Sequence, residues 1–407
     1  MGENKSKSKK KCGGKEKKRK QISQFFRRLV AYGGVSTNPG IIYIWGDPNL
    51  LIPYEAFARL EEGLIRNLKE DGKNIILWFG RISGYQSSDV LNRRFGIPFV
   101  KLWKEDHRDI DNLINGATQD GFGFFEGKTY TPKGNPVNQQ IVGRNCTIGK
   151  KYAELFGKQK EEKDFYSAGV ILGGIEFPYK TRISIKETTC IAKGDKECTF
   201  DFHHDDKADY FSSLFKKSKI NQKKTEDAMS SLYLKRPVKG KFVNSKNIKF
   251  GDGNFIFEGQ AGVIVATRAF SPTMKIAKAL LSEKTYATLI DDFAKGYVSD
   301  SMRGISVKGT PSAMQIAAIV KNLNLLGYGE FVMINGRGKD TFIENKTNPL
   351  VRDYVSIFGF QKKPYDELIC LILKNVFEKI YNAEIFVEEV ECVAQGKRRC
   401  LFKISRK

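Results

Sequence analysis

Long apolar runs are missing from this chain. Stretches such as Ala168 to Ile175 stop well short of the roughly 18–20 residues that a spanning helix needs, so no transmembrane segment is expected. Histidine is close to absent, with His107, His203 and His204 the only three. There is no Walker loop, no nucleophile elbow and no G-x-G-x-x-G behind a strand, since Gly121, Gly123 and Gly127 are misspaced. A non-enzymatic protein is therefore the expectation. Cysteine is thin as well: seven in 407 residues, an odd number, do not make the dense staples of a secreted scaffold. No apolar segment follows the basic start as a secretory signal would require, and a reducing cytoplasm is the default location. Acidic residues fall short of basic ones, 46 against 69, which leaves a formal charge of +23.

What is present points to folded cores. The chain is 41% hydrophobic and 12% aromatic, and its 407 residues predict two globular units plus connecting material. The surplus charge is localised. Residues 1–20 carry ten Lys/Arg against Glu3 and Glu16, and residues 216–249 carry eleven against Glu226 and Asp227. Lysine clusters on a tail and a linker suit a solubilising spacer or a tether to nucleic acid, an acidic protein surface or anionic lipid. The start Met1, Gly2, Glu3, Asn4, Lys5, Ser6 fits the loose N-myristoylation pattern, and Cys12 offers a place for a second acyl chain.

Self-similarity organises the rest. Glu187 to Phe200 and Glu389 to Phe402 both spell E-x-x-C-x-A-x-G-x-x-x-C-x-F, 202 positions apart, and the same offset carries Phe156-Gly157 onto Phe358-Gly359. Upstream, Gly121-Phe122-Gly123 matches Gly327-Tyr328-Gly329, and Gly84-Tyr85 matches Gly296-Tyr297. The order of landmarks is kept while the offset drifts, as in a duplicated domain whose loops differ in length.

In the second copy, helical spacing covers Pro272 to Lys284, Tyr286 to Tyr297 and Ala313 to Leu326; a hairpin follows at Glu330 to Asn335 and Asp340 to Glu344. Helices over 349–358 and 365–380 precede closing strands at Glu384 to Val393 and Arg399 to Ile404. The first copy repeats the plan, with helices at Tyr54 to Lys69, Ile75 to Tyr85, Ile148 to Gln159 and Phe165 to Phe177, and strands at Phe122 to Glu126, Arg182 to Ala192 and Glu197 to Phe202. The predicted class is α+β: two tandem copies, each with helices on one face of an antiparallel sheet, paired as an intramolecular pseudo-dimer. The predicted division is a basic disordered tail over 1–22, a first domain over 23–204 in which Phe25 to Leu29 starts a short helix, a basic linker over 205–245 and a second domain over 246–407.

Cys190 and Cys198 lie symmetrically about Gly194, and Cys392 and Cys400 about Gly396, so a hairpin turning at each glycine sets its two thiols opposite each other. Such a pair can share a metal or form a strained disulfide. Glu187 and Glu389 are candidate third ligands, but a residue three positions before a cysteine points to the other strand face unless a bulge or strand end intervenes.

These paired endings, with the aromatic G-[FY]-G before a strand and the helix between, resemble the 4-vinyl-reductase-like small-molecule-binding domain over about 40–203 and 250–405. The resemblance implies a zinc ion held by a helix cysteine, the glutamate and both hairpin cysteines. In the second copy that set is Cys370, Glu389, Cys392 and Cys400. In the first it is Glu187, Cys190 and Cys198 with Ala168 where Cys370 would match, leaving Cys146, His203 or His204 as substitutes. It also implies a cavity for a hydrophobic or aromatic small molecule, with Phe122, Phe124, Tyr166 and Phe177 and their counterparts Tyr328, Phe331, Tyr365 and Phe377 as candidate lining. The leading expectation is thus a zinc-stabilised binding or sensor protein. The alternatives are an adaptor tethered through its lysine-rich segments and, on the family name alone, a tetrapyrrole vinyl reductase.

Overall fold

The computed structural model describes residues 35–44, 46–95, 121–129, 139–235, 241–242, 248–251, 254–302, 316, 320, 322–334 and 340–406. The basic tail, Gly2, Cys12, the helix expected from Phe25 and most of the one expected over Ala313 to Leu326 lie outside the described residues.

Three short strands open the first copy: β1 (Val35–Asn38), β2 (Ile41–Ile44) and β3 (Asp47–Ile52), an antiparallel meander. Helix α1 (Tyr54–Leu68) follows Pro53 and buries Phe57, Leu60 and Leu64, the three-and-four spacing of one helical face. Then come α2 (Glu70–Phe95), β4 (Phe124–Thr129), β5 (Gln139–Arg144), α3 (Thr147–Phe156), α4 (Phe165–Tyr179), β6 (Ile183–Thr189) and β7 (Cys198–His204). Helices α5 (Ser212–Ser218) and α6 (Gln222–Lys235) and the two-residue β8 (Lys241–Phe242) lead into the second copy.

The second copy repeats this order: β9 (Ile248–Gly251), β10 (Asn254–Phe257), β11 (Gln260–Ala266), α7 (Thr267–Leu280), α8 (Glu283–Ser301), β12 (Phe331–Ile334), β13 (Asp340–Asn345), α9 (Pro349–Phe358), α10 (Glu367–Tyr381), β14 (Ile385–Glu391) and β15 (Cys400–Arg406). From α3 onward every element of the first copy has its counterpart 202 positions later. The β10–β11 turn at Glu258-Gly259 has both central residues at positive φ, 50° and 82°, the twist that a two-residue hairpin favours.

Three antiparallel sheets result among the described residues. Two are four-stranded and equivalent, β4-β5-β7-β6 and β12-β13-β15-β14. The third is shared, in the order β8-β1-β2-β3-β11-β10-β9, with Leu50, Leu51 and Ile52 of β3 facing Val265, Ile264 and Val263 of β11. The G-[FY]-G motifs meet this seam. Gly121 packs on Gly262 of the second copy, where a Cβ would stand 2.5 Å from the Gly262 carbonyl oxygen; Gly327 packs on Asn49 of the first, with a Cβ 2.2 Å from its carbonyl oxygen. Backbone crosses here as well, with Leu51 N donating to Leu326 O and Gly329 N to Gly40 O at 2.9 and 2.7 Å.

The α+β reading holds. Three features depart from expectation. The meanders over 35–52 and 248–266 and strand β5 carry no signal of their own strong enough to stand out. The segment 205–245 joins the copies but is not structureless: α5 and α6 bury Leu214, Phe215, Thr225 and Met229, and Phe215 meets the buried Trp78 of α2 edge-on, ring centroids 5.4 Å apart. Arg81 then ties α2 to Glu176 of α4 and Glu226 of α6 at 2.6 and 3.1 Å. A few well-placed apolar side chains suffice for docking, although lysine dominates the composition.

Candidate metal centre

Both closing hairpins turn as their glycines dictate. A single 3₁₀ turn, Ile191–Lys193 or Val393–Gln395, ends on Gly194 or Gly396 at φ 88° or 81°, a left-handed conformation that suits glycine. Thr189 faces Thr199, which brings Cys190 beside Cys198. The next step back is irregular: Glu187 faces Phe200, so Thr188 is an extra residue, and the second copy has the same shift between Glu389 and Glu391. This bulge turns the glutamate onto the face of the cysteines, which is the condition the sequence imposed on it. The ligand atoms of Glu187, Cys190 and Cys198 lie within 4.8 Å of one another, and so do those of Glu389, Cys392 and Cys400.

Two helix starts complete each cluster. The N-cap of α4 is Asp164, which accepts from Ser167 N, while its own N–H donates to Glu187 Oε2 at 3.1 Å. Asp366 caps α10 by accepting from Ile369 N and donates its N–H to Glu389 Oε2 at 3.0 Å. The N-cap positions of α3 and α9 hold Cys146 and Asn348. Cys146 forms a second close group with Asp164 and Cys198, again within 4.8 Å. In the second copy Asn348 Nδ2 donates to Asp366 Oδ2 at 2.5 Å and to Cys400 Sγ at 3.4 Å.

The expected ligands come together in part. Cys370 stands one helical turn beyond Asp366 and is outside the group that Glu389, Cys392 and Cys400 form. The N-cap Asp366 reaches Glu389 through its backbone N–H, as a helix start aims its N–H groups at whatever lies beyond it, while burial and then the charges of Asp366 and Glu389 raise the Cys370 thiol one turn on. Cys146, 44 positions ahead of Cys190, does reach the first cluster, so the copy expected to be poorer in ligands has three thiols where the second has two. His203 and His204 lie at the opposite end of β7 from Cys198. Sequence reasoning passed over Asp164 and Asp366, although both sit at the repeat offset and one residue before a helix.

Burial sets the electrostatics. Asp366 and Glu389 are each pushed up to about 8, first by desolvation, then Asp366 by Glu389 and Glu389 by the Cys392 sulfur. Burial raises Asp164 to about 6 and Glu187 well above the carboxylate range. Cys392 is pulled down to about 6 by hydrogen bonding from the Cys400 thiol, from the Glu389 carboxyl and from the N–H groups of Tyr365 and Ala394. Cys400 is correspondingly held up, and burial lifts Cys146 to about 11. Buried Asp164 Oδ2, Glu187 Oε1 and Glu389 Oε1 have no hydrogen-bond partner. Thiols and unsatisfied carboxylate oxygens converging away from water make a donor set suited to zinc, which takes four N, S or O ligands and requires thiolates.

The candidate cavity aromatics sit mainly in the core. Tyr166 meets Phe57, Phe79 and Phe122 with ring centroids 4.8, 4.9 and 5.1 Å apart, and Phe177, Phe331 and Phe377 are also buried. Phe124 is half-buried, as is Tyr365, which stacks on Tyr354 at 4.0 Å. The second copy has an anomaly: the hydroxyls of Tyr297 and Tyr328, fully buried with rings 5.3 Å apart, have no hydrogen-bond partner.

No family model and no curated protein sequence matches this chain. Among solved structures it is similar to the phenol-responsive sensory domain of the transcription activator PoxR with phenol, at 14% identity over 53% of this chain and 97% of that domain, with a TM-score of 0.39. It is also similar to a vinyl-4-reductase family protein from Methanocaldococcus jannaschii, at 22% identity over 30% of this chain and 67% of that one, with a TM-score of 0.21. Both overlaps are loose, and the chemistry has to be taken from the side chains themselves. No helix among the described residues is long and apolar enough to cross a membrane.

Proposed function

We propose that this chain is a non-enzymatic small-molecule-binding protein, built as an intramolecular pseudo-dimer whose closing hairpins are clamped by zinc. The observation that carries the ligand half of this reading is the pair of unpartnered hydroxyls on Tyr297 and Tyr328. A buried hydroxyl without a partner costs about 1–3 kcal/mol, and an apolar or aromatic ligand bearing one polar group would relieve it. Burial first, and then the neighbouring Asp366, raise the Tyr328 phenol, so the ligand would sit beside the clamp. In the first copy Tyr85 and Phe122 occupy the matching positions, which favours the second copy as the ligand site. Glu187, Cys190 and Cys198, and Glu389, Cys392 and Cys400, would supply the metal ligands, with Asp164 or Asp366 as the neighbouring carboxylate.

The test is native mass spectrometry of the full chain beside Tyr297→Phe and Tyr328→Phe. A co-purifying organic mass is expected in the wild type, with retention about 2- to 10-fold weaker in each variant, the worth of one hydrogen bond. A ligand-free wild type whose stability neither substitution changes would contradict the reading.

A second reading rests on the lysines of the joining segment. Lys216, Lys217, Lys219, Lys223 and Lys224 are exposed on folded helices, a fixed array suited to an acidic polymer or surface. Retention on heparin should fall on replacing Lys216, Lys219, Lys223 and Lys224 with glutamine; unchanged elution across a salt gradient would rule this surface out as a polyanion site.

A further inference from the structure

We infer that the first copy contains a second zinc site, formed by Cys146, Asp164 and Cys198, which shares the Cys198 sulfur with the Glu187, Cys190 and Cys198 site and which the second copy replaces with the side-chain amide of Asn348. The inference rests on the proposed reading of the hairpins as metal clamps and adds an ion to one of them.

The first observation is geometric. Two separate three-residue groups meet at Cys198, each with all its ligand atoms within 4.8 Å of one another. Together they set three thiols and two carboxylates around the buried Cys198 sulfur. One tetrahedral zinc uses four donors, so a single ion leaves one of the five over, while two ions sharing the Cys198 thiolate take three protein donors each and keep a fourth position open on each.

The second observation is the contrast between copies. At the position of Cys146 the second copy has Asn348, whose NH₂ group donates to Asp366 and to Cys400, the counterparts of Asp164 and Cys198. The protein there supplies its own positive hydrogens. A cysteine offers one S–H at most and none once ionised. Asp164, fully buried, has the Cys146 thiol as its neighbour where Asp366 has an amide, and its Oδ2 lacks a hydrogen-bond partner.

The third observation is Glu61, on α1. It is 1% exposed, no side chain donates to its carboxylate, and burial first, then the charges of Asp164 and Glu187, push its pKa well up. The matching stretch of α7, Thr273-Met274, has no carboxylate. A third carboxylate beside an already acidic, thiol-rich cluster is costly to bury in its charged form, and additional cations would offset that cost. Three sulfurs among the donors favour a thiophilic ion such as zinc over magnesium or calcium.

The test counts metal per chain in full-length protein saturated with zinc and then desalted. Three zinc ions per chain are expected in the wild type and two in Cys146→Asn, a substitution that gives the first copy the residue the second accommodates at this position. X-ray absorption of the zinc-loaded wild type needs no variant and should show a metal–metal distance of about 3.5–4 Å. Two zinc ions per chain in the wild type with no metal–metal scattering would overturn the inference and leave the hairpin clamps standing. A wild type that retains no zinc would overturn the clamp reading itself.

Discussion

Gly173→Ala is expected to be among the most damaging single-methyl changes in this protein. Helices α2 and α4 cross at four glycines, Gly80 and Gly84 on one and Gly169 and Gly173 on the other. A Cβ at Gly173 would lie 1.9 Å from the carbonyl oxygen of Arg81; at Gly169, Gly80 and Gly84 it would lie 2.2, 2.2 and 2.1 Å from the carbonyl oxygens of Leu77, Tyr166 and Val170. These neighbours are backbone, so no rotamer change relieves the clash and the helices must separate. Overpacking usually costs about 1–3 kcal/mol, and the upper end or more is expected here. For a unit of this size that lowers the thermal midpoint by roughly 6–12 °C. Because Asp164 starts α4, the loss should be accompanied by weaker metal retention in the first copy. A midpoint equal to the wild type would show that the helices do not pack this closely.

Arg268→Leu is expected to cost about as much, by removing charge rather than adding volume. Arg268, at the start of α7, is 2% exposed; its Nε pairs with Asp47 of β3 at 2.5 Å and its Nη1 donates to the Met229 carbonyl of α6 at 3.0 Å. One guanidinium thus ties both copies and the segment between them. Nearby, Thr267 Oγ1 donates to Asp353 Oδ2 at 2.5 Å and lies 3.2 Å from Pro48 O. Removing one partner of a buried ion pair typically costs about 3–5 kcal/mol, whereas replacing both with apolar residues of similar volume is often nearly neutral. Chemical denaturation should therefore show a large loss for Arg268→Leu and substantial recovery for Arg268→Leu with Asp47→Leu. Additive losses in the double variant would mean that the pair is not what couples these segments.

The closing half of each copy was legible because its signals are local. A capping residue, a helical period, a glycine turn and two cysteines at mirror positions all lie within about sixty residues of sequence, and the repeat states them twice. The shared sheet was not legible. Strand β3 pairs with β11, more than 200 positions away, and four- to seven-residue strands carry too little periodicity to announce a partner so distant. The docked helices α5 and α6 were obscured by composition, since Phe215 and Met229 do the packing among many lysines. At the site, alternation correctly made a bulge the condition for glutamate to join the cysteines. It gave no means of seeing that the Asp366 N–H would meet Glu389, or that Cys146 would return to Cys198, because both depend on where helix starts come to rest.

Each bulged hairpin is proposed to hold a metal ion that stabilises its copy. This is tested most directly by elemental analysis and thermal unfolding of the full chain, before and after a strong chelator, for the wild type and for Cys392→Ser with Cys400→Ser. Bound zinc is expected in the wild type, with a lower midpoint once it is stripped and a variant that has lost the second copy's share of both metal and stability. Metal-free wild-type protein that unfolds at the same temperature with or without chelator would contradict it.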